Sequence, residues 1–272
     1  MAGTESGPHI PSMQGELIPN FGFDILGMHF GISNTVLSTW IFMVFLFVAL
    51  LLFRTNINKK GGFFKTTGLI IVKLIYDFAA DFIGDRKFAK KILFLIGGMF
   101  IFIFLSNIFS LFLDWILLFA GEDLKLHEYL RPINSDPNTT FALSLIIIFV
   151  SHFVAVFKRG IPKYLKGYMF NFHGDGLFEK IINVFVGWLH LIGEVVKALS
   201  LSLRLFGNIF AGVVLIAMLA YLGGMISLFG IRIGELFVLP FWFFELFVAL
   251  IQAIVFFVLA SIYFKQAIEE HH

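Results

Sequence analysis

The sequence predicts an all-α membrane protein. It has about five membrane-embedded helices, the last two long and steeply tilted as a hairpin, and one interfacial amphipathic helix. Two observations carry that prediction. Hydrophobic residues make up 59% of the 272-residue chain and charged residues only 14%, with mean hydropathy +0.92, whereas a soluble domain carries about 25% charged residues. The apolar residues also fall into runs of bilayer length, and the segments between those runs alternate in charge.

Each element follows in order. Residues 1–34 read as an extracytoplasmic segment: no Lys or Arg opens them and no signal-type apolar run follows. Residues 35–272 form a single membrane domain. A crossing needs roughly 20 apolar residues, and 35–53, 92–113 and 139–157 meet that directly. Residues 62–88 repeat Phe64, Ile71, Leu74, Ile75, Phe78 and Phe82 at helical spacing, with Lys65, Lys73, Asp77 and Asp81 between them. That pattern predicts an amphipathic helix on the interface, either as a shielded connector or as a partner contact. Residues 181–222 and 233–264 would extend about 63 Å and 48 Å as helices, too long for an upright crossing. Tyr221-Leu222-Gly223-Gly224 is the expected turn between them, and Pro240 a kink.

Charge sets the orientation. Residues 54–91 hold nine basic residues from Arg54 to Lys91. Residues 114–138 are acidic through Asp114, Glu122, Asp123, Glu128 and Asp136, against Lys125 and Arg131, and 158–180 turn basic again. Basic loops stay cytoplasmic, which places the N-terminus outside and the C-terminus inside. The chain has no Cys, so disulfides, thiolate metal sites and a cysteine nucleophile are excluded. Neither a metal set nor a hydrolase constellation has recognisable spacing. No cofactor is expected, and a net charge of +2 gives no reason to expect a nucleic-acid partner.

The chemistry concentrates in the last two helices. Glu194, Lys197 and Arg204 sit in an apolar stretch, where a central charge costs about 2.5–3.5 kcal/mol on insertion scales and so faces protein or water. With Arg204 at zero, Lys197 falls about 20° away, Asn208 and His190 about 40° and Glu194 about 80°, one polar stripe. Glu194 and Lys197 also suit a structural ion pair, which leaves Arg204 needing an anion from elsewhere. Glu245 and Gln252 share a face of the last helix. Glu245 reads either as a salt-bridge partner of Arg204 or as a titrating carboxylate in a wet cleft beside Gln252. His152 reads first as a packed histidine, with a relay group the alternative, and Asn107 as an interhelical hydrogen-bonding group. Gly187, Gly193, Gly207 and Gly212 mark either close packing within the chain or a smooth surface for another helix.

Leu199-Ser200-Leu201-Ser202-Leu203-Arg204-Leu205-Phe206-Gly207-Asn208-Ile209-Phe210-Ala211-Gly212 closely resembles the signature of subunit a of rotary F-type ATP synthases. Phe53-Arg54, Ser135-Asp136-Pro137-Asn138-Thr139-Thr140-Phe141-Ala142-Leu143, Gln252-Ala253 and Glu269-Glu270-His271 are similar to that family too, although His271-His272 also suits a tag remnant. The resemblance implies a non-catalytic stator subunit of the inner cell membrane. In that role two tilted helices would line offset half-channels against a c-subunit ring, with b-type peripheral stalk subunits as further partners. It implies that Arg204 faces the ring carboxylate, that Asn208, Glu245, Gln252, Glu194 and His190 serve the ion path, and that the ion is a proton or sodium. Two positions depart from the common bacterial pattern: Val213 stands where an ionisable residue is frequent, and Glu245 where His is. His190 or Glu194 would then compensate. The alternative is a secondary transporter or channel with an intramembrane Arg/Glu site, but no inverted repeat or pair of broken helices supports it.

Overall fold

The computed structural model describes residues 16–25, 28–57, 63–120, 130–162, 164, 176–225, 227–228, 231–232 and 234–269. The acidic run 122–128, Lys163, Lys166 and the 270–272 end lie outside those residues. A short antiparallel pair, β1 (Leu17–Ile25) and β2 (Met28–Ser33), leads into α1 (Asn34–Ile57). Then come α2 (Phe63–Ile83), α3 (Arg86–Ala120), a 3-10 turn (Ile133–Ser135), α4 (Pro137–Arg159) and α5 (Leu177–Met225). A two-residue pair, β3 (Ser227–Leu228) with β4 (Ile231–Arg232), precedes α6 (Gly234–Ile268). Five stretches are long and apolar enough to cross a bilayer: Asn34–Thr55, Arg86–Leu113, Pro137–Arg159, Ile182–Gly223 and Val238–Ile268. The chain is an all-α multi-pass membrane protein. α2, which exposes Lys65, Lys73, Asp77 and Asp81, is not among the five.

Three features differ from expectation. Residues 1–34 carry no predicted strand, yet β1 and β2 pair there. The signal was the alternation in Phe21-Gly22-Phe23-Asp24-Ile25 and Met28-His29-Phe30-Gly31-Ile32. The turn expected at Tyr221–Gly224 is instead helical, since α5 runs through to Met225. Apolar neighbours make helix the better state there, and two adjacent glycines lower helix stability without forbidding it. The helix expected to reach residue 88 stops at Ile83. Gly84 takes φ +81°, and its N–H donates to Ala80 O at 2.9 Å, a left-handed stop that glycine accommodates. Asp85 then starts α3: its Oδ1 accepts from Lys87 N at 2.8 Å and Phe88 N at 3.0 Å. Those bonds, Phe88's first, hold the Asp85 carboxyl below its usual range.

The chain divides into two compact units. One comprises Met1–Ile70, Ile101–Thr139 and Leu205–Ala253. Its distinguishing feature is a buried polar clasp around the 3-10 turn. Asn134 Nδ2 donates to Ser106 Oγ at 2.9 Å and to Asn107 Oδ1 at 2.6 Å. Ile133 N donates to Ser110 Oγ at 3.1 Å, and Arg131 N to Ser38 Oγ at 2.8 Å. Asp136 accepts from Thr35 Oγ1 at 2.8 Å and from Asn138 N at 2.9 Å, the second bond capping α4, whose first residue is Pro137. Buried polar groups need such partners. Asn107 therefore serves the turn before α4 and not a helix neighbour. Phe42 packs on Phe102 and Phe109, and Leu111, Ile216, Val238 and Ala249 form an apolar core beside them in this unit.

The other unit comprises Ile71–Phe100, Thr140–Arg204 and Ile254–His272. Phe257 stacks on Phe78 and meets Phe100 edge-on, each at 5.5 Å between centroids. Thr140 Oγ1 and Ser202 Oγ share a buried hydrogen bond of 3.2 Å between α4 and α5. Gly160, at φ +80°, ends α4 as Gly84 ends α2.

Candidate functional site

In the first unit, α5 and α6 meet through the residues that the polar face singled out. Asn208 Nδ2 donates to Gln252 Oε1 at 2.8 Å. One turn along α5, the Glu245 carboxylate occupies the space that a side chain at Gly212 would need. Spacing explains the match: Asn208 and Gly212 are one turn apart, and Gln252 and Glu245 are two turns apart on one face. Glu245 is 6% exposed and Gln252 2% exposed. Among the described residues, Glu245 Oε1 and Gln252 Nε2 have no hydrogen-bond partner. A buried polar atom left so is costly unless a partner from outside the chain reaches it.

The glycines divide by role. On α5 the space at Gly212 is filled by a side chain, whereas a Cβ at Gly193 or Gly207 would meet no described atom within 4 Å. Close packing within the chain therefore explains Gly212, and an open surface explains the other two.

Arg204 closes the second unit and is exposed, as are Leu199, Leu203, Ala211 and Leu215 on the same helix. A guanidinium cannot shed its charge to escape an apolar setting. Its exposed position leaves that charge open to a partner from outside the chain.

The second unit also holds Glu194, Lys197 and His190. Lys197 Nζ donates to Glu194 Oε1 at 2.8 Å and to Gln266 Oε1 at 3.1 Å, and lies 5.4 Å from the Tyr263 ring centroid. The ion pair expected on spacing is present. His152 Nε2 lies 3.6 Å from Glu194 Oε2, and its Nδ1 is 2.7 Å from Tyr164 Oη. The tyrosine contact has no signal in the sequence, because residues twelve apart across a helix end have no fixed relation. His190 lies exposed on α5 within the same unit. No group of three or more metal-ligating side chains occurs among the described residues.

Comparison with known proteins decides the family. The sequence profile of the family described as ATP synthase A chain matches residues 36–265. The chain belongs to that family. It is similar to the chloroplastic ATP synthase subunit a of Bigelowiella natans, 31% identical over 245 residues covering 88% of this chain and 87% of that protein. It also resembles the chloroplastic subunit a of Oedogonium cardiacum, at 30% over 243 residues covering 88% and 84%. The subunit a of Staphylococcus aureus (strain JH9) matches at 30% over 261 residues, covering 93% and 95%. As a subunit a it is a non-catalytic membrane component of ATP synthase. The stretch 199–212 lies within the matched residues and wholly within α5.

Proposed function

We propose that this chain forms two offset half-channels against a ring of c subunits and couples ion flow to the ring's rotation. Its other partners would be b-type peripheral stalk subunits and the remaining ATP synthase subunits. The observation that carries this reading is Arg204, exposed on an apolar helix of bilayer length. A lipid-facing Arg is unfavourable by about 2.5–3.5 kcal/mol even on the milder scales, whereas a carboxylate on a passing ring helix neutralises it. The guanidinium would favour the ionised form of that carboxylate and block direct leakage between the half-channels. Open positions at Gly193, Gly207 and Ala211 give a passing helix a smooth track. α5 and α6 take the steep tilt because about 74 Å and 52 Å of helix exceed the bilayer.

Asn208, Gln252 and Glu245 belong to the outer half-channel in this reading, and Glu194 and His190 to the inner one. Glu245 supplies the ionisable group that Val213 lacks, since it packs beside Gly212. The expected N-out, C-in orientation in the inner cell membrane, with α2 on the cytoplasmic interface, follows from the basic segments 54–91 and 158–180.

Cysteine cross-linking tests the ring contact, because the native chain has no Cys. Single cysteines at Leu199, Leu203 and Ala211 should form disulfides with a cysteine on the outer helix of subunit c. Cysteines at the buried Leu201, Leu205 and Ile209 should not. Equal cross-linking from both sets would refute the proposed face. For orientation, Thr55→Cys and Lys158→Cys should resist an impermeant maleimide added outside cells. Labelling of either from outside would reverse the assignment.

A further inference from the structure

Resting on the half-channel reading, we propose that His152, held between Glu194 and Tyr164, is a proton-transfer residue of the inner half-channel. The route then carries protons and not a metal cation. Three elements of the second unit build the cluster: α4 supplies His152, α5 supplies Glu194 and Lys197, and α6 supplies Gln266 and Tyr263. Tyr164 joins from the segment after α4.

The geometry is that of a two-sided imidazole. Lys197 occupies Glu194 Oε1 at 2.8 Å, which leaves Oε2 toward His152 Nε2 at 3.6 Å. A small side-chain shift brings the two within hydrogen-bond distance. The opposite ring nitrogen already sits 2.7 Å from Tyr164 Oη. The side chains of His152 and Glu194 are 27% and 15% exposed, so the cluster is neither sealed nor freely washed.

The charged groups that His152 faces are Glu194 and Lys197. Tyr263 lies within electrostatic reach of both Glu194 and Arg204, which connects the cluster to the charge proposed to meet the ring. Glu194 is ten residues before Arg204, about 15 Å along the helix.

The transfer balances. A proton on the Glu194 carboxyl passes to His152 Nε2, the Nδ1 proton passes to Tyr164 Oη, and the tyrosine's own hydroxyl proton leaves to water. The imidazole ends neutral with its hydrogen on Nε2, Glu194 ends as carboxylate, and a flip of the imidazole turns the bound hydrogen back toward Tyr164 for the next transfer. Pumping runs the steps backward. A hard metal cation would want oxygen ligands, but the Lys197 ammonium already holds Glu194 Oε1 and Gln266 Oε1 and repels cations there.

The test uses the assembled ATP synthase in vesicles, with ATP-driven proton pumping followed by a pH dye across a range of pH on the side that α4 and Tyr164 face. Positioned acid–base groups contribute about 10²–10⁴-fold, so His152→Gln should slow pumping by tenfold or more and change its dependence on that pH. Millimolar imidazole on the same side should restore much of the rate to His152→Gly. Tyr164→Phe, which removes only a hydroxyl, should slow pumping several-fold. Wild-type rate and pH dependence in assembled His152→Gln would overturn the relay, as would a loss with an unchanged pH profile and no imidazole rescue. If His152→Gln fails to assemble, Tyr164→Phe decides, and an unaltered rate and pH profile there would overturn it. Arg204→Ala separates the two levels. Pumping retained in that variant sinks the half-channel reading itself, whereas pumping lost in it but normal in His152→Gln sinks only the relay.

Discussion

Arg204→Ala should abolish ion-driven ATP synthesis while the complex still assembles. The side chain is exposed on α5, so its removal leaves no cavity in the core, and folding loses little. Coupling loses its central charge. An opposite charge nearby shifts a carboxylate's pKa by about 1–3 units, enough to release an ion as a ring carboxylate arrives opposite the guanidinium. Without it the carboxylate keeps its ion, and the barrier between the half-channels opens to a passive leak. Arg204→Lys retains a charge but loses the planar, always-protonated fork, so severe impairment is expected and not rescue. ATP synthesis in vesicles, with assembly checked on a native gel, decides. Wild-type synthesis from an assembled Arg204→Ala complex would refute the mechanism, and failure to assemble would make Arg204 structural.

Glu245→Gln should slow ion flux by roughly 100-fold, the lower end of the range for a positioned proton-transfer group, with assembly intact. The amide keeps the shape that packs on Gly212 but cannot titrate. A second variant reaches the same carboxylate from α5. Gly212→Ala puts a methyl group where the Glu245 carboxylate lies, so Glu245 must move, and flux should fall although every ionisable residue remains. Gly98→Ala in α3 is the control, since no described atom lies within 4 Å of its new methyl group. Normal pumping by Glu245→Gln would make the carboxylate dispensable. Equal effects at Gly212 and Gly98 would show that losing a helix glycine matters, and not the packing of Glu245.

Much of this was legible in the sequence, and the parts that were not have identifiable causes. Five spans could be read because bilayer thickness turns hydropathy into length, and the last pair was already too long to stand upright. Asn208, Glu245 and Gln252 were placed on polar faces by periodicity alone. Periodicity cannot pair faces on different helices, so neither the Asn208–Gln252 bond nor the packing of Glu245 on Gly212 can be read from it. The Ser135-Asp136-Pro137-Asn138 run was recognised as similar to a family, but its use as a clasp holding Ser38, Ser106 and Ser110 was hidden. Serines scattered in apolar helices look alike whether they bond their own backbone or a distant loop. The Gly223-Gly224 turn failed for the converse reason: local breakers lose to a helix that context stabilises. His152 remained ambiguous because its two neighbours come from elements with no fixed register to it.

The polar clasp also bears on how the chain is made. Thr35 and its partner Asp136 are 101 residues apart. Domains emerge at about 5–20 residues per second during synthesis, so the first crossing waits roughly 5–20 s before its outer end can be tied down. Through that interval Thr35 has only the local Ser33 hydroxyl, 2.9 Å away, and both Thr35 and Ser38 otherwise depend on water or lipid headgroups. The latch is thus a late event in biogenesis, and it closes only after the turn before Pro137 has been made.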